Sequence, residues 1–222
     1  CRPVHPRSIR MNASPHPPIT VVEYERLFRV IHAVLTQVGH DPAQASLFFA
    51  VAGAFVLRRH HRLSNVCPVA GAAAYALTGS EPLCFGTAEG DTLVADADHH
   101  HCWIEADGWV IDLSAPLFAA RFDASSTGRA LPPRMFLRPA LAPTGLERLA
   151  TPGGYLHRIN EKLTTTLLQG FAETASYADL VRLCERWYAR PPKKIAPAVA
   201  VTSEDGSTAT LTLSPLRLTG AW

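Results

Sequence analysis

The sequence predicts an α+β fold, with helices first and an antiparallel sheet after them. Three observations carry this. Apolar residues between Val21 and Leu57 recur at helical spacing. Beyond Gly79 the chain changes to short apolar runs broken by Gly and Asp, and Asp107-Gly108 stands between two of them as a tight hairpin signal. With 47% hydrophobic residues in 222, one sizeable core is affordable and disorder throughout is excluded.

Residues 1–18 read as a polar, proline-bearing tail with Met11 as a natural start, followed by a single domain over 19–222. Its core is expected at 41–116 and a C-terminal extension at 144–222. From Val21 to Gly39, the positions Tyr24, Leu27, Phe28, Ile31, Val34, Leu35 and Val38 mark an amphipathic helix that Gly39 ends. Asp41-Pro42 is an N-cap with proline after it, opening a mostly buried helix from Ala43 to Leu57 that closes on Arg58-Arg59-His60-His61-Arg62. A third helix is expected from Cys67-Pro68 to Leu77. Strands follow at Leu83–Gly86, Thr92–Ala97, His101–Ala106 and Trp109–Leu113. A proline-rich connection (Leu131 to Pro143) leads to helices near Ile159–Phe171 and Tyr177–Tyr188. A terminal hairpin pairs Ala198–Ser203 with Thr208–Leu213.

The 21 basic and 19 acidic residues nearly cancel, so bulk charge argues against a nucleic-acid partner. No apolar run approaches the roughly 20 residues that span a bilayer, and Cys1 to Arg10 lacks the apolar stretch of a signal peptide. Five irregularly spaced cysteines with no CxxC pair fit a reducing, cytoplasmic setting; lipid anchoring through Cys1 is the alternative.

Chemistry concentrates between Asn65 and Asp112. A cysteine opening a helix sits beside unpaired backbone N–H groups, which stabilise thiolate over thiol, so Cys67 is a candidate nucleophile. The side chains of Asn65 and Ser64 are candidate oxyanion donors. With Asp107 and Gly108 as the loop, Ala106 faces Trp109 and Trp103 faces Asp112. Side chains alternate along a strand, so His101 shares the Asp112 face and lies diagonal to it, a Cβ separation of roughly 7–8 Å that imidazole and carboxylate can bridge. Asp112 then orients His101 as the base for Cys67.

The run His101-Cys102-Trp103-Ile104-Glu105, then Gly108-Trp109 and Asp112, resembles the H-x-W-x-E, G-W, D run of the transglutaminase-like superfamily, within the broader papain-like cysteine-proteinase fold. Asn65-Val66-Cys67 stands where that superfamily often has Gly-x-Cys. The resemblance spans roughly Asn65 to Pro116; the flanks point to a divergent bacterial branch. It implies a Cys67-His101-Asp112 triad cleaving an amide through an acyl-thioenzyme, without cofactor, on a peptide or amide-containing small molecule. The superfamily also holds transamidating members and members that have lost activity. An acyltransferase, or a catalytically silent module holding a peptide or partner, are therefore the alternatives.

Two other readings compete locally. His99-His100-His101-Cys102 offers metal-ligand types, but adjacent strand residues point to opposite faces and do not converge, so no metal is expected. Trp103 reads as a core residue that also shapes the cleft, Glu105 as a structural carboxylate, and Cys84, Cys102 and Cys184 as structural. The basic stretch from Arg58 to Arg62 is either a solvated helix end or a patch that receives a carboxylate-bearing ligand.

Overall fold

The computed structural model describes residues 16–61, 63, 65–77, 81–121, 131–141, 146–189, 195–203 and 205–222. Helix α1 (Val21–Gln37) starts at a capping box: the Thr20 hydroxyl accepts from the Glu23 N–H, and the Glu23 carboxylate accepts from the Thr20 N–H at 2.7 Å. Gly39, at φ 77, takes the left-handed conformation just past its end. Asp41 caps a 3-10 turn, Pro42–Gln44, rather than the long helix itself. Helix α2 (Ser46–His60) follows and is buried around most of its girth.

The segment from Cys67 to Leu77 is not a helix. It is strand β1 (Val66–Tyr75), paired antiparallel to β5 (His101–Ala106) over Val66–Gly71 and to β2 (Leu83–Phe85) over Ala73–Tyr75. Strand β8 (Tyr155–Ile159) pairs with β1 over Gly71–Tyr75 and takes its other edge. An alanine-rich run has high helix propensity, but it also suits a central strand covered on both faces, where the alternating pattern vanishes. Small size is enforced at the centre: a Cβ on Gly71 would lie 2.0 Å from the Arg158 carbonyl oxygen of β8. Pro68 sits in the half of β1 that β8 does not reach, where its missing N–H is tolerated.

The sheet continues from β5 to β6 (Trp109–Asp112) and β7 (Phe136–Pro139). Strands β3 (Thr87–Glu89) and β4 (Thr92–Val94) form a separate hairpin. A short helix α3 (Phe118–Arg121) follows β6. Helices α4 (Glu161–Glu173) and α5 (Ala175–Ala189) lie where helices were expected, with α5 against α1 and α2 and α4 against β1. Strands β9 (Ala198–Thr202) and β10 (Thr208–Thr212) make the terminal hairpin.

Two departures matter. Strand β7 lies inside the proline-rich connection, and β8 belongs to the segment read as an extension, so the sheet is not confined to 41–116. The architecture is α+β, with apolar clusters on both faces of the sheet. Ala70, Cys102, Ile104 and Ile111 join the core of α1 and α2, while Ala73, Tyr75, Phe85, Trp103, Phe118 and Phe136 form an aromatic core on the other face. The candidate site lies in the second.

Candidate functional site

The β5–β6 hairpin has the register read from its turn. Ala106 pairs with Trp109, Glu105 with Val110 and Ile104 with Ile111, around Asp107 at φ 47 and Gly108 at φ 84. Two positive φ angles are what a type I′ turn requires. Trp103 therefore stands opposite Asp112, and His101 on the same face reaches it diagonally: His101 Nε2 is 2.7 Å from Asp112 Oδ2. Both side chains are fully buried.

The carboxylate is saturated. Oδ2 also accepts from the Tyr75 hydroxyl at 2.7 Å, and Oδ1 accepts from the Ser114 N–H at 3.0 Å and the Ser114 hydroxyl at 2.7 Å. Burial raises the Asp112 pKa, but the His101 charge and the bonds from His101, Tyr75 and Ser114 outweigh it, so the carboxyl titrates below its ordinary value. Because Tyr75 spends its proton on Asp112, its oxygen accepts from His157 Nε2 at 2.9 Å. Burial drives His157 down to about 3, with Asp112 opposing and His101 adding to the fall, so His157 is neutral. Burial, then the Asp112 charge, pushes the Tyr75 phenol well above its usual range. The result is a four-membered chain, His157–Tyr75–Asp112–His101, inside an aromatic shell. Phe85 stacks on the His101 ring at 4.2 Å, and Trp103 packs on His157 at 4.8 Å. The Nδ1 atoms of His101 and His157 are buried without a hydrogen-bond partner among the described residues.

Of the residues singled out in the sequence, His101, Asp112 and Trp103 share this core, and Cys67 does not. Cys67 pairs with Glu105, whereas His101 pairs with Gly71, four residues further along β1. At a rise of about 3.3 Å per residue the two are roughly 13 Å apart along the strand. Cys67 does not open a helix, because β1 replaces the one expected there. Its half-buried sulfur instead lies 4.0 Å from Arg58 Nη2. Asn65 serves the hairpin turn, its N–H donating to Asp107 Oδ1 at 3.1 Å and its carbonyl accepting from the Asp107 N–H at 3.1 Å. It is no oxyanion donor to a group at the other end of β5, and Ser64 lies outside the described residues. Cys102 and Cys184 are buried as expected, but Cys84 is exposed.

Tyr75, His157 and Ser114 were not anticipated. Only Ser114 carried a local signal, since a hydroxyl two residues after an Asp favours a bond back to its carboxylate. Among the described residues no three His, Cys, Asp or Glu side chains gather as a metal site, and no helix is long and apolar enough to cross a membrane.

A second feature is lined by Pro68, the residue next to Cys67. A cleft of about 350 Å³ runs between α2, the start of β1, α4 and α5, floored by Val51, Ala54, Phe55, Pro68, Phe171 and Val181, with Arg58 and Arg182 at its edge. Arg58 is fixed there by its Nε–H donating to the Val66 carbonyl at 2.7 Å. The outer part of the basic stretch is partly neutralised: His60 Nε2 is 2.9 Å from Glu185 Oε1.

A family model described as "Protein of unknown function (DUF2026)" matches residues 20–222. A crystal structure described as that of a genomics target is 34% identical, with a TM-score of 0.80, covering 94% of this chain and 99% of the other. No curated protein matches the chain.

Proposed function

We propose that this chain, which belongs to the DUF2026 family of proteins of unknown function, is a catalytically silent binding module on a papain- or transglutaminase-like framework. The observation that carries the reading is the β1–β5 register, which separates Cys67 from His101 by four residues. A thiol activated by imidazole needs contact at hydrogen-bond range, and roughly 13 Å forbids it. The His101–Asp112 pair then serves as a core polar network that fixes the hairpin against β1 and β8, consistent with its full burial.

Binding falls to the cleft beside Cys67. Its apolar floor accepts a hydrophobic side chain, and Arg58 donates to a neighbouring carboxylate, which together describe a peptide segment with an aromatic or aliphatic residue next to an acidic one. A fluorescein-labelled tetrapeptide with Phe and Leu between two Glu residues tests this by anisotropy, with an expected Kd on the order of 10–100 µM. Phe55→Ala and Arg58→Gln should each weaken it. In parallel, Cys67 should react with iodoacetamide at neutral pH no faster than Cys84. Rapid Cys67 labelling that His101→Gln abolishes would overturn the silent reading.

One observation favours a second reading. His101 Nδ1 is a buried nitrogen with no hydrogen-bond partner among the described residues, on a ring whose other nitrogen is held by a carboxylate. That is the electronic state of a general base, so the pair can serve amide hydrolysis or acyl transfer with a nucleophile other than Cys67. Turnover of peptide p-nitroanilides, lost in His101→Gln and retained in Cys67→Ala, would select it.

A further inference from the structure

A larger cleft, about 570 Å³, lies between the first half of α1, the end of β10 and the chain on either side of the terminal hairpin. Its polar lining is dominated by arginine: Arg26 and Arg29 from α1, and Arg217, with Glu25 as the single carboxylate among them. Arg26 is committed, donating to the Tyr188 carbonyl and lying over the Tyr188 ring at 4.7 Å. Arg29 is pinned by its Nε–H, which donates to the Ser214 carbonyl at 2.7 Å. Arg217 Nη1 stands 3.5 Å from Glu25 Oε1, and its side chain is 70% exposed.

Arg29 and Arg217 face one carboxylate, Glu25, in this lining. Arg29 feels the excess: partial burial, then repulsion from Arg217, pushes its pKa below the ordinary arginine value, with only Glu25 opposing. Like charges facing one cleft, one of them anchored on a backbone carbonyl, create a field that an entering anion relieves, and guanidinium forks bind carboxylate and phosphate oxygens two at a time. Beside them Val22 is 74% exposed, an apolar surface for the body of a ligand.

We infer that this cleft is a binding site for an organic anion, a carboxylic acid or phosphate ester whose charged group bridges Arg29 and Arg217 while its apolar portion lies on Val22. The site is independent of the cleft beside Cys67 and shares no lining residue with it. Calorimetric titration of the full chain at low salt, with citrate and separately with pyrophosphate, tests it. At least one should bind with a Kd below about 1 mM and weaken as salt rises. Binding by citrate alone assigns carboxylate chemistry, and by pyrophosphate alone phosphate chemistry. Arg217→Gln removes a charged donor from an exposed side chain without touching the fold and should weaken binding by about tenfold. Glu25→Gln removes the competing carboxylate and should tighten binding severalfold. Failure of both anions to bind at about 10 mM overturns the assignment. So does binding that Arg217→Gln leaves unchanged, or that Glu25→Gln weakens.

Discussion

Replacing Tyr75 by Phe deletes one oxygen from the centre of the buried chain and leaves the ring in place. The ring packs edge-on to Phe136 at 4.9 Å and lies 4.8 Å from Phe118, so no cavity beyond the hydroxyl opens. Two losses follow. Asp112 Oδ2 loses a charge-assisted bond, worth about 1.5–3 kcal/mol, and the His157 Nε2–H loses its acceptor inside the protein, costing about 1–3 kcal/mol. The expected destabilisation is therefore roughly 2.5–6 kcal/mol, a large share of the 5–15 kcal/mol typical of a domain. Urea unfolding followed by the fluorescence of the buried Trp103 and Trp187 measures it, with the slope m held as a check on two-state behaviour. A double variant with His157→Leu removes the orphaned N–H, so the two effects should fall short of additivity by at least about 1 kcal/mol. A loss below about 1 kcal/mol for Tyr75→Phe, or strict additivity in the double variant, would refute the claim that these groups form one network.

Acid sensitivity should carry the signature of His157. Its folded value of about 3 lies below its ordinary 6.5, so between these pH values the unfolded chain binds the extra proton. The penalty is absent above pH 6.5 and grows as pH falls toward 3, at up to about 1.4 kcal/mol per pH unit. His32 and His61, also lowered by burial, add in the same direction. Asp112, whose folded value is depressed, adds a further loss below the ordinary carboxylate range. His157→Gln keeps a donor toward Tyr75 but does not titrate, so its stability should fall less steeply between pH 6 and pH 4; parallel curves would contradict this. Gly71→Ala should cost at least about 3 kcal/mol, because its Cβ meets rigid backbone, the Arg158 carbonyl oxygen at 2.0 Å. Gly53→Ala meets only the side-chain ends of Leu113 and Ile104 and should cost roughly 1–2 kcal/mol; the reverse order in thermal unfolding would show that the β1–β8 spacing is not the constraint.

The hairpin around Asp107-Gly108 was legible to the level of individual contacts, because a two-residue loop and the alternation of side chains are local rules. They placed His101 beside Asp112, and the two are bonded at 2.7 Å. Helices α1 and α2 were legible for the same reason, through apolar spacing and cap residues. Strand β1 was not. Its residues from Ala70 to Ala74 are small and apolar on both faces, and such a run carries no period to separate strand from helix. That one error also carried the role assigned to Cys67. Strand β8 was missed as well, and with it His157, whose partner Tyr75 is 82 residues away in sequence.

Composition, periodicity and turn chemistry thus determined the α+β class, the principal helices and the histidine–carboxylate pair, each a matter of neighbours within a few residues. Tertiary structure alone decided how far β1 slides along β5, which edge β8 takes, and that the His101–Asp112 pair is joined by Tyr75, and through it His157, rather than by a thiol. Those outcomes depend on pairing between segments tens of residues apart, where shape, burial and backbone hydrogen bonds act together and no local pattern records the register.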